Sequence, residues 1–171
     1  FGFHFEKRSS LSSKICGLYG ISANYVVADT ESQDKISFND YGLGAKYTLG
    51  GYLQDPRKDS FIFPGLNEGE LMITQFTKLN ASLQYNFKPK FFIIPHADFA
   101  VVGFNKLENY LDNAFSTNAH WQDQKDARYL FSSGATVGYD SLLGPVTLDV
   151  SWVNDVNKIK IFFGVGFQLN R

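Results

Sequence analysis

Few residues in this sequence are equipped for chemistry, and they are scattered. His96 and Asp98 stand two apart, which on a strand puts both side chains on one face. Such a pair can share a proton or present two ligands to a metal ion. His4 and His120 lie too far off to complete a recognisable ligand spacing, so the pair reads as a polar couple in wet surroundings and no metal is expected. Lys46, Lys78, Asp149, Lys158 and Lys160 share the polar phase of their own segments with Asp98. They read as the salt-bridged filling of an interior, and setting the charge of a pore is the competing role. Gly20-Ile21-Ser22-Ala23-Asn24 comes nearest to the Gly-x-Ser-x-Gly elbow, in which a strained turn exposes a serine beside an oxyanion hole. It lacks the final glycine and lies inside a stretch with strand periodicity. No catalytic motif, no enzyme activity and no cofactor are expected of this segment. Cys16 is the only cysteine, which rules out an internal disulfide framework and a cysteine zinc cluster.

Composition narrows the rest. The 171 residues are 44% apolar, 16% aromatic and 19% charged, enough to bury apolar surface as one domain or as part of a larger one. Seventeen Phe, nine Tyr and two Trp carry too much ring surface for a disordered chain. Sixteen Lys plus Arg against 17 Asp plus Glu leave no basic excess, so nucleic acid is not an expected partner. A transmembrane helix needs roughly 18 continuous apolar residues, and the best run, Phe91 to Phe104, is broken by Pro95, His96 and Asp98. The opening Phe1-Gly2-Phe3-His4-Phe5 has no charged lead and no apolar signal core, and reads as a mature or trimmed segment whose targeting sequence lies outside it.

Positions must come from strands, because the dominant pattern is alternation with a period of two. Ile159, Ile161, Phe163, Val165, Phe167 and Leu169 alternate with Lys158, Lys160, Phe162, Gly164, Gly166 and Gln168. Val146, Leu148, Val150 and Trp152 alternate with Thr147, Asp149 and Ser151, and Leu79 to Phe87 interleave with Lys78 to Asn86. Tyr41 to Leu49 show the same pattern. About eight strands are expected, near 1–7, 13–27, 37–50, 70–87, 90–104, 129–139, 145–153 and 158–169. Several reach the roughly 9–11 residues that a tilted strand needs to cross a bilayer. Short connections at Lys88-Pro89-Lys90 and Asp140 to Gly144 contrast with long insertions at 51–69 and 105–128. Short turns at one rim and long loops at the other are the habit of outer-membrane barrels.

Alternation alone does not say which face is wet. A soluble barrel with an apolar ligand inside would show charge to water. Here the polar phase is mostly Gly, Ser, Thr, Asn and Gln, and the charges gather in the loops. Tyr85, Phe87, Phe91, Phe92, Tyr139 and Trp152 near strand ends suit an interfacial girdle. The reading is therefore an all-β, antiparallel outer-membrane β-barrel, with lipids as its first partner.

The run from Gly138-Tyr139-Asp140 through Gly144-Pro145-Val146 to Val150 resembles the penultimate hairpin of the bacterial surface antigen superfamily of outer-membrane assembly barrels. Phe163-Gly164-Val165-Gly166-Phe167 resembles its closing strand, and Phe63-Pro64-Gly65-Leu66 its lumen loop. Within that group the chain looks most like the barrel of patatin-like phospholipases of Bacteroidota. The resemblance implies the C-terminal half of a sixteen-stranded barrel; a complete eight-stranded barrel for adhesion or lipid interaction is the competing architecture. It also implies a covalently linked N-terminal passenger, with a patatin-like lipase as the candidate, a barrel assembly machinery as partner, a second copy as candidate homodimer partner, and the bacterial outer membrane as location. Phe63, Pro64, Gly65 and Leu66 become candidates for a loop folded into the lumen, and Lys46, His96, Asp98 and Asp149 for its polar lining. Two positions depart from the family pattern: no arginine precedes Gly65, and the chain ends Gln168-Leu169-Asn170-Arg171 rather than on an aromatic residue.

Overall fold

The computed structural model describes residues 1–25, 47–51, 59–103, 107–114, 127–142, 144–154 and 156–166. Long strands dominate, as the alternation requires. They are β1 (Gly2–Ser10), β2 (Ile15–Asn24), β6 (Gln75–Lys88), β7 (Phe91–Gly103), β8 (Ala127–Ser141), β9 (Gly144–Val153) and β10 (Lys158–Val165). These seven form one antiparallel sheet in the order β1-β2-β6-β7-β8-β9-β10. The sheet is not closed: β1 and β10 are its two edges. Three short strands, β3 (Tyr47–Leu49), β4 (Ser60–Phe61) and β5 (Leu71–Ile73), make a second small sheet in the order β4-β3-β5. The helix α1 (Leu107–Ala114) lies in the second long insertion.

One expected strand is thus placed differently. The segment near 37–50 does not join the large sheet through its described part; Tyr47–Leu49 pairs in the small sheet, and residues 37–46 lie outside the described residues. β2 pairs directly with β6, Asn24 facing Phe76. Dropping one strand from the sheet moves the β1–β2 turn to the same rim as the turns at Pro89-Lys90 and Leu142. That rim holds the β1–β2, β6–β7 and β8–β9 connections, and the insertions 25–74 and 104–126 leave from the opposite one, which also carries the short β9–β10 turn.

The ladder shows its own local chemistry. Between β6 and β7 pairing lapses after Ser82–His96 and resumes at Tyr85–Ile93. Pro95 sits at the gap and has no N–H to give. On its other side Pro95 still pairs in register with Ala135, so the strand continues.

The register divides the sheet into two unlike faces. One presents Leu79, Leu83, Tyr85, Phe87, Phe91, Phe131, Val137, Tyr139, Leu148, Val150, Ile159, Ile161 and Phe163, all of them exposed. The other presents Lys78, His96, Asp98, Ser132, Thr136, Asp149 and Ser151, of which Asp98, Ser132, Thr136, Asp149 and Ser151 are buried. This inverts the usual order, in which apolar residues fill the inside and charges meet water.

Aromatic side chains mark the apolar face at two levels. Near the short-turn rim, Tyr85, Phe87, Phe91 and Tyr139 run ring to ring, with centroid separations of 6.5, 6.0 and 4.8 Å. Near the other rim Phe99 stacks on Tyr129 at 6.1 Å and Phe131 meets Trp152 at 6.4 Å. Phe92 corrects the expected girdle: successive residues of a strand face opposite ways, and it lies buried on the polar face over Gly138. Helix α1 packs on the apolar face at the long-loop end, where Tyr110 and Ala114 gather with Tyr25 and Val101. The Tyr110 hydroxyl reaches Thr77 Oγ1 at 3.1 Å and the Val101 carbonyl at 3.2 Å. Burial pushes that hydroxyl up to about 12, so it stays a donor. Residues 115–126, with His120 and the Trp121 to Asp126 run, lie outside the described residues.

Candidate functional site in the loop-covered polar face

Near the long-loop rim the polar face turns apolar. There Phe76 of β6, Ala100 and Val102 of β7, Leu130 of β8 and Val153 of β9 are fully buried. What covers them is the first insertion: Tyr47, Leu49, Phe63, Leu66 and Ile73 complete the same cluster, with Phe61 and Leu71 at its edge. Phe63 and Leu66 are 0% and 2% exposed; burying each such side chain stabilises by roughly 1.5–3 kcal/mol. Rings interlock here, Phe61 lying 4.6 Å from Phe76 and Tyr47 6.0 Å from both.

The tip of this loop is Phe63-Pro64-Gly65-Leu66, and all four residues are buried. The Leu66 amide donates to the Phe63 carbonyl at 3.3 Å, which closes a four-residue turn. Proline presets the backbone at its second position, and the third needs a positive φ that glycine supplies. Gly65 has φ +89°, and a Cβ there would stand 3.1 Å from Val153 Cβ and 3.4 Å from the Trp152 carbonyl carbon. Gly65→Val is therefore expected to undock the tip, through both backbone strain and collision with β9. The expected result is lowered folded yield and faster cleavage within 59–70 by added protease; wild-type yield and resistance would show that the tip is not held against the wall.

Two lysines of the polar face hold the loop from either side. Lys78 of β6 donates to the Ile62 carbonyl at 2.5 Å, lies 3.1 Å from Asp98 Oδ1, and sits 6.0 Å from the Phe63 ring centroid. Lys160 of β10 donates to Glu70 Oε2 at 2.6 Å, and the same oxygen accepts from the Asn67 amide at 2.5 Å. Partial burial raises the Glu70 pKa, but the Lys160 and Asn67 hydrogen bonds and the Lys160 charge outweigh it and hold the carboxyl below its ordinary value. A carboxylate so depressed contributes its stability in full above the ordinary pKa, and loses it as pH falls through the depressed one. Loop docking is expected to loosen on acidification below the ordinary carboxylate range. Glu70→Gln should remove that acid limb at a cost of roughly 0.2–1 kcal/mol at neutral pH, the scale of a partly exposed pair; protease resistance of the loop against pH reads both.

Behind Lys78 the polar groups form one chain across four strands. Asp98 Oδ2 lies 3.7 Å from His96 Nδ1, too long for a hydrogen bond. His96 Nε2 meets Asp149 Oδ1 at 2.9 Å, and Thr136 donates to the same oxygen at 2.9 Å. Ser151 Oγ donates to Asp149 Oδ2. Gly134 makes room for the imidazole, since a Cβ there would come within 2.9 Å of His96 Cε1 and 2.6 Å of Ser151 Oγ. A serine nucleophile needs an imidazole nitrogen free to take its proton. Here Nε2 meets Asp149 at 2.9 Å with Ser151 Oγ 3.4 Å away, and the serine hydroxyl donates to the Asp149 carboxylate. Ser22, the serine of the Gly20-to-Asn24 motif, is a strand residue whose Oγ lies 2.7 Å from His4 Nδ1.

The structure thus brings together His96, Asp98 and Asp149 with Phe63 to Leu66, while Lys46 lies outside the described residues. Among the described residues, no group of three or more His, Cys, Asp or Glu is arranged to hold a metal ion.

Residues 4–169 match the OMP85 superfamily, a family of bacterial outer-membrane proteins. The chain belongs to the OMP85 superfamily. Comparison with curated proteins and with solved structures found no match. Membership agrees with an all-β antiparallel sheet of long strands and associates the chain with the outer membrane in general. No arginine precedes Gly65, and Lys78 reaches from the wall to the loop backbone at Ile62. Sequence reasoning placed Lys78 and Lys160 in the polar phase but missed Glu70 and Ile62 as their partners. Glu70 and Lys160 are 90 residues apart, and nothing short of the strand register brings them together.

Proposed function

We propose that this OMP85 segment is part of a transmembrane barrel whose exposed apolar face meets lipid and whose polar face lines a lumen partly filled by the loop 59–70. The observation that carries this reading is the inverted polarity of the sheet, with ring-bearing bands at two levels of the exposed face. The bands are spaced for a bilayer. From Phe91 to Phe99 is eight residues, about 26 Å along a strand and roughly 20 Å once the tilt of a barrel strand is allowed for. Outward apolar bands of such barrels are about 25 Å tall. Short turns then face the periplasm and the long insertions the outside.

The open edges argue for a larger barrel. In hydrocarbon the unpaired N–H and C=O groups of β1 and β10 would each cost several kcal/mol, so further strands of the same polypeptide meet them. A half-share of a sixteen-stranded barrel, anchoring a covalently linked N-terminal passenger and inserted by a barrel assembly machinery, accounts for both edges. The likeness to patatin-linked barrels makes a lipid acyl hydrolase the passenger of choice. The segment itself acts by anchoring and not by catalysis.

The test is the intact mass of the native polypeptide recovered from an outer-membrane fraction. A mass far above 19.3 kDa is expected. A mass near 19.3 kDa, or recovery in the soluble fraction without detergent, would overturn the larger-barrel or the membrane reading respectively.

A further inference from the structure

We propose that the short-turn rim carries a binding groove for the phosphate of an anionic phospholipid headgroup; the inference rests on the lipid-facing reading above. The groove encloses about 460 Å³ where the β1–β2 turn, the β6–β7 turn and the end of β8 converge. This falls within the size range of small-molecule sites. Lys14, Lys88 and Lys90 line it against one carboxylate, Asp140, an excess of two positive charges (three minus one). Elsewhere on the polar face Lys78 is neutralised by Asp98 and Lys160 by Glu70. Lys14, Lys88 and Lys90 form no ion pair among the described residues, and all three are exposed.

The backbone beneath them is fixed. The Asn86 amide donates to the Lys14 carbonyl at 2.9 Å and the Asp140 amide to the Lys90 carbonyl at 2.8 Å, while Pro89 sets the turn between the other two lysines. The groove also continues onto the apolar face, because Phe87 and Phe91, with ring centroids 6.0 Å apart, belong both to its lining and to the lower aromatic band. A phospholipid whose acyl chains run along the wall beneath those rings brings its phosphate to the level of the lysines. A free phosphate ion would use the charge alone and gain nothing from the rings. Each lysine near an anionic lipid surface is worth at most about five-fold in affinity.

The test uses the full-length polypeptide folded into phosphatidylcholine vesicles containing a trace of spin-labelled phosphatidylglycerol or spin-labelled phosphatidylcholine. The motionally restricted signal should favour phosphatidylglycerol by roughly five- to ten-fold, and rising salt should weaken the preference. In the triple variant Lys14→Gln/Lys88→Gln/Lys90→Gln the preference should fall to that of phosphatidylcholine. A triple variant that keeps the preference, or an inserted wild-type protein that shows none, would overturn the groove. Loss of the preference on swapping chloride for inorganic phosphate at equal ionic strength would also overturn it, in favour of a free-anion site. No restricted signal from either label would instead contradict the membrane reading on which the groove depends.

Discussion

Replacing Lys78 with methionine is expected to release the loop from the wall and to lower stability by about 3–5 kcal/mol, the scale for removing one partner of a buried ion pair. The Lys78 and Asp98 side chains are only 11% and 6% exposed, so water cannot take over from the lost ammonium. The substitution also leaves the Ile62 carbonyl without its donor. Two measurements check this: denaturant unfolding of the vesicle-folded protein, and the rate of protease cleavage within 59–70. The second change Asp98→Asn, made in the Lys78→Met background, should restore part of the loss, because the uncompensated charge is then gone. Unfolding at the wild-type denaturant midpoint in Lys78→Met would mean that the apolar cluster alone holds the loop.

The second large effect is on the other face. Leu83 stands mid-strand between the two aromatic bands and is 40% exposed. In water a lysine at such a site would change stability by no more than about 0.5 kcal/mol. In contact with lipid near the bilayer midplane it should cost roughly 2–4 kcal/mol. Ser82→Lys, one residue away on the polar face, is the control, and should fold far better than Leu83→Lys. Equal stability of the two variants in vesicles would remove the distinction between the faces on which the account depends.

Much of the wall was legible because its two faces differ in kind. From Lys78 to Phe87, from Val146 to Trp152 and from Lys158 to Val165 every residue falls on the face that its place in the alternation predicts. The cover was less legible. Tyr47 and Leu49 alternate just as wall residues do, since a strand that packs on the wall is also half buried; they end up in the cluster with Phe63 rather than facing outward. Phe91 and Phe92 read alike by composition, and only the register shows that one belongs to the aromatic band and the other lies over Gly138. Helix α1 lay inside an insertion read only as polar. Its signal was present in Leu107, Tyr110, Leu111 and Ala114, spaced at three, four and seven residues, but eight residues give two turns and little periodicity. The candidate site was half legible for the same reason. Spacing put His96 beside Asp98, whereas Asp149 joins them only through pairing of β7, β8 and β9.

The central claim is that one face of the sheet touches hydrocarbon and the other does not. The most direct test places a nitroxide label, one site at a time, at each position from Leu79 to Gln84 after replacing Cys16 by serine, in the vesicle-folded protein. Accessibility to dissolved oxygen, which concentrates in lipid, should peak at Leu79, Ala81 and Leu83. Accessibility to a water-soluble nickel chelate should stay low at those three. Absence of a two-residue period, or free access of the nickel chelate to Leu79, Ala81 and Leu83, would contradict the account.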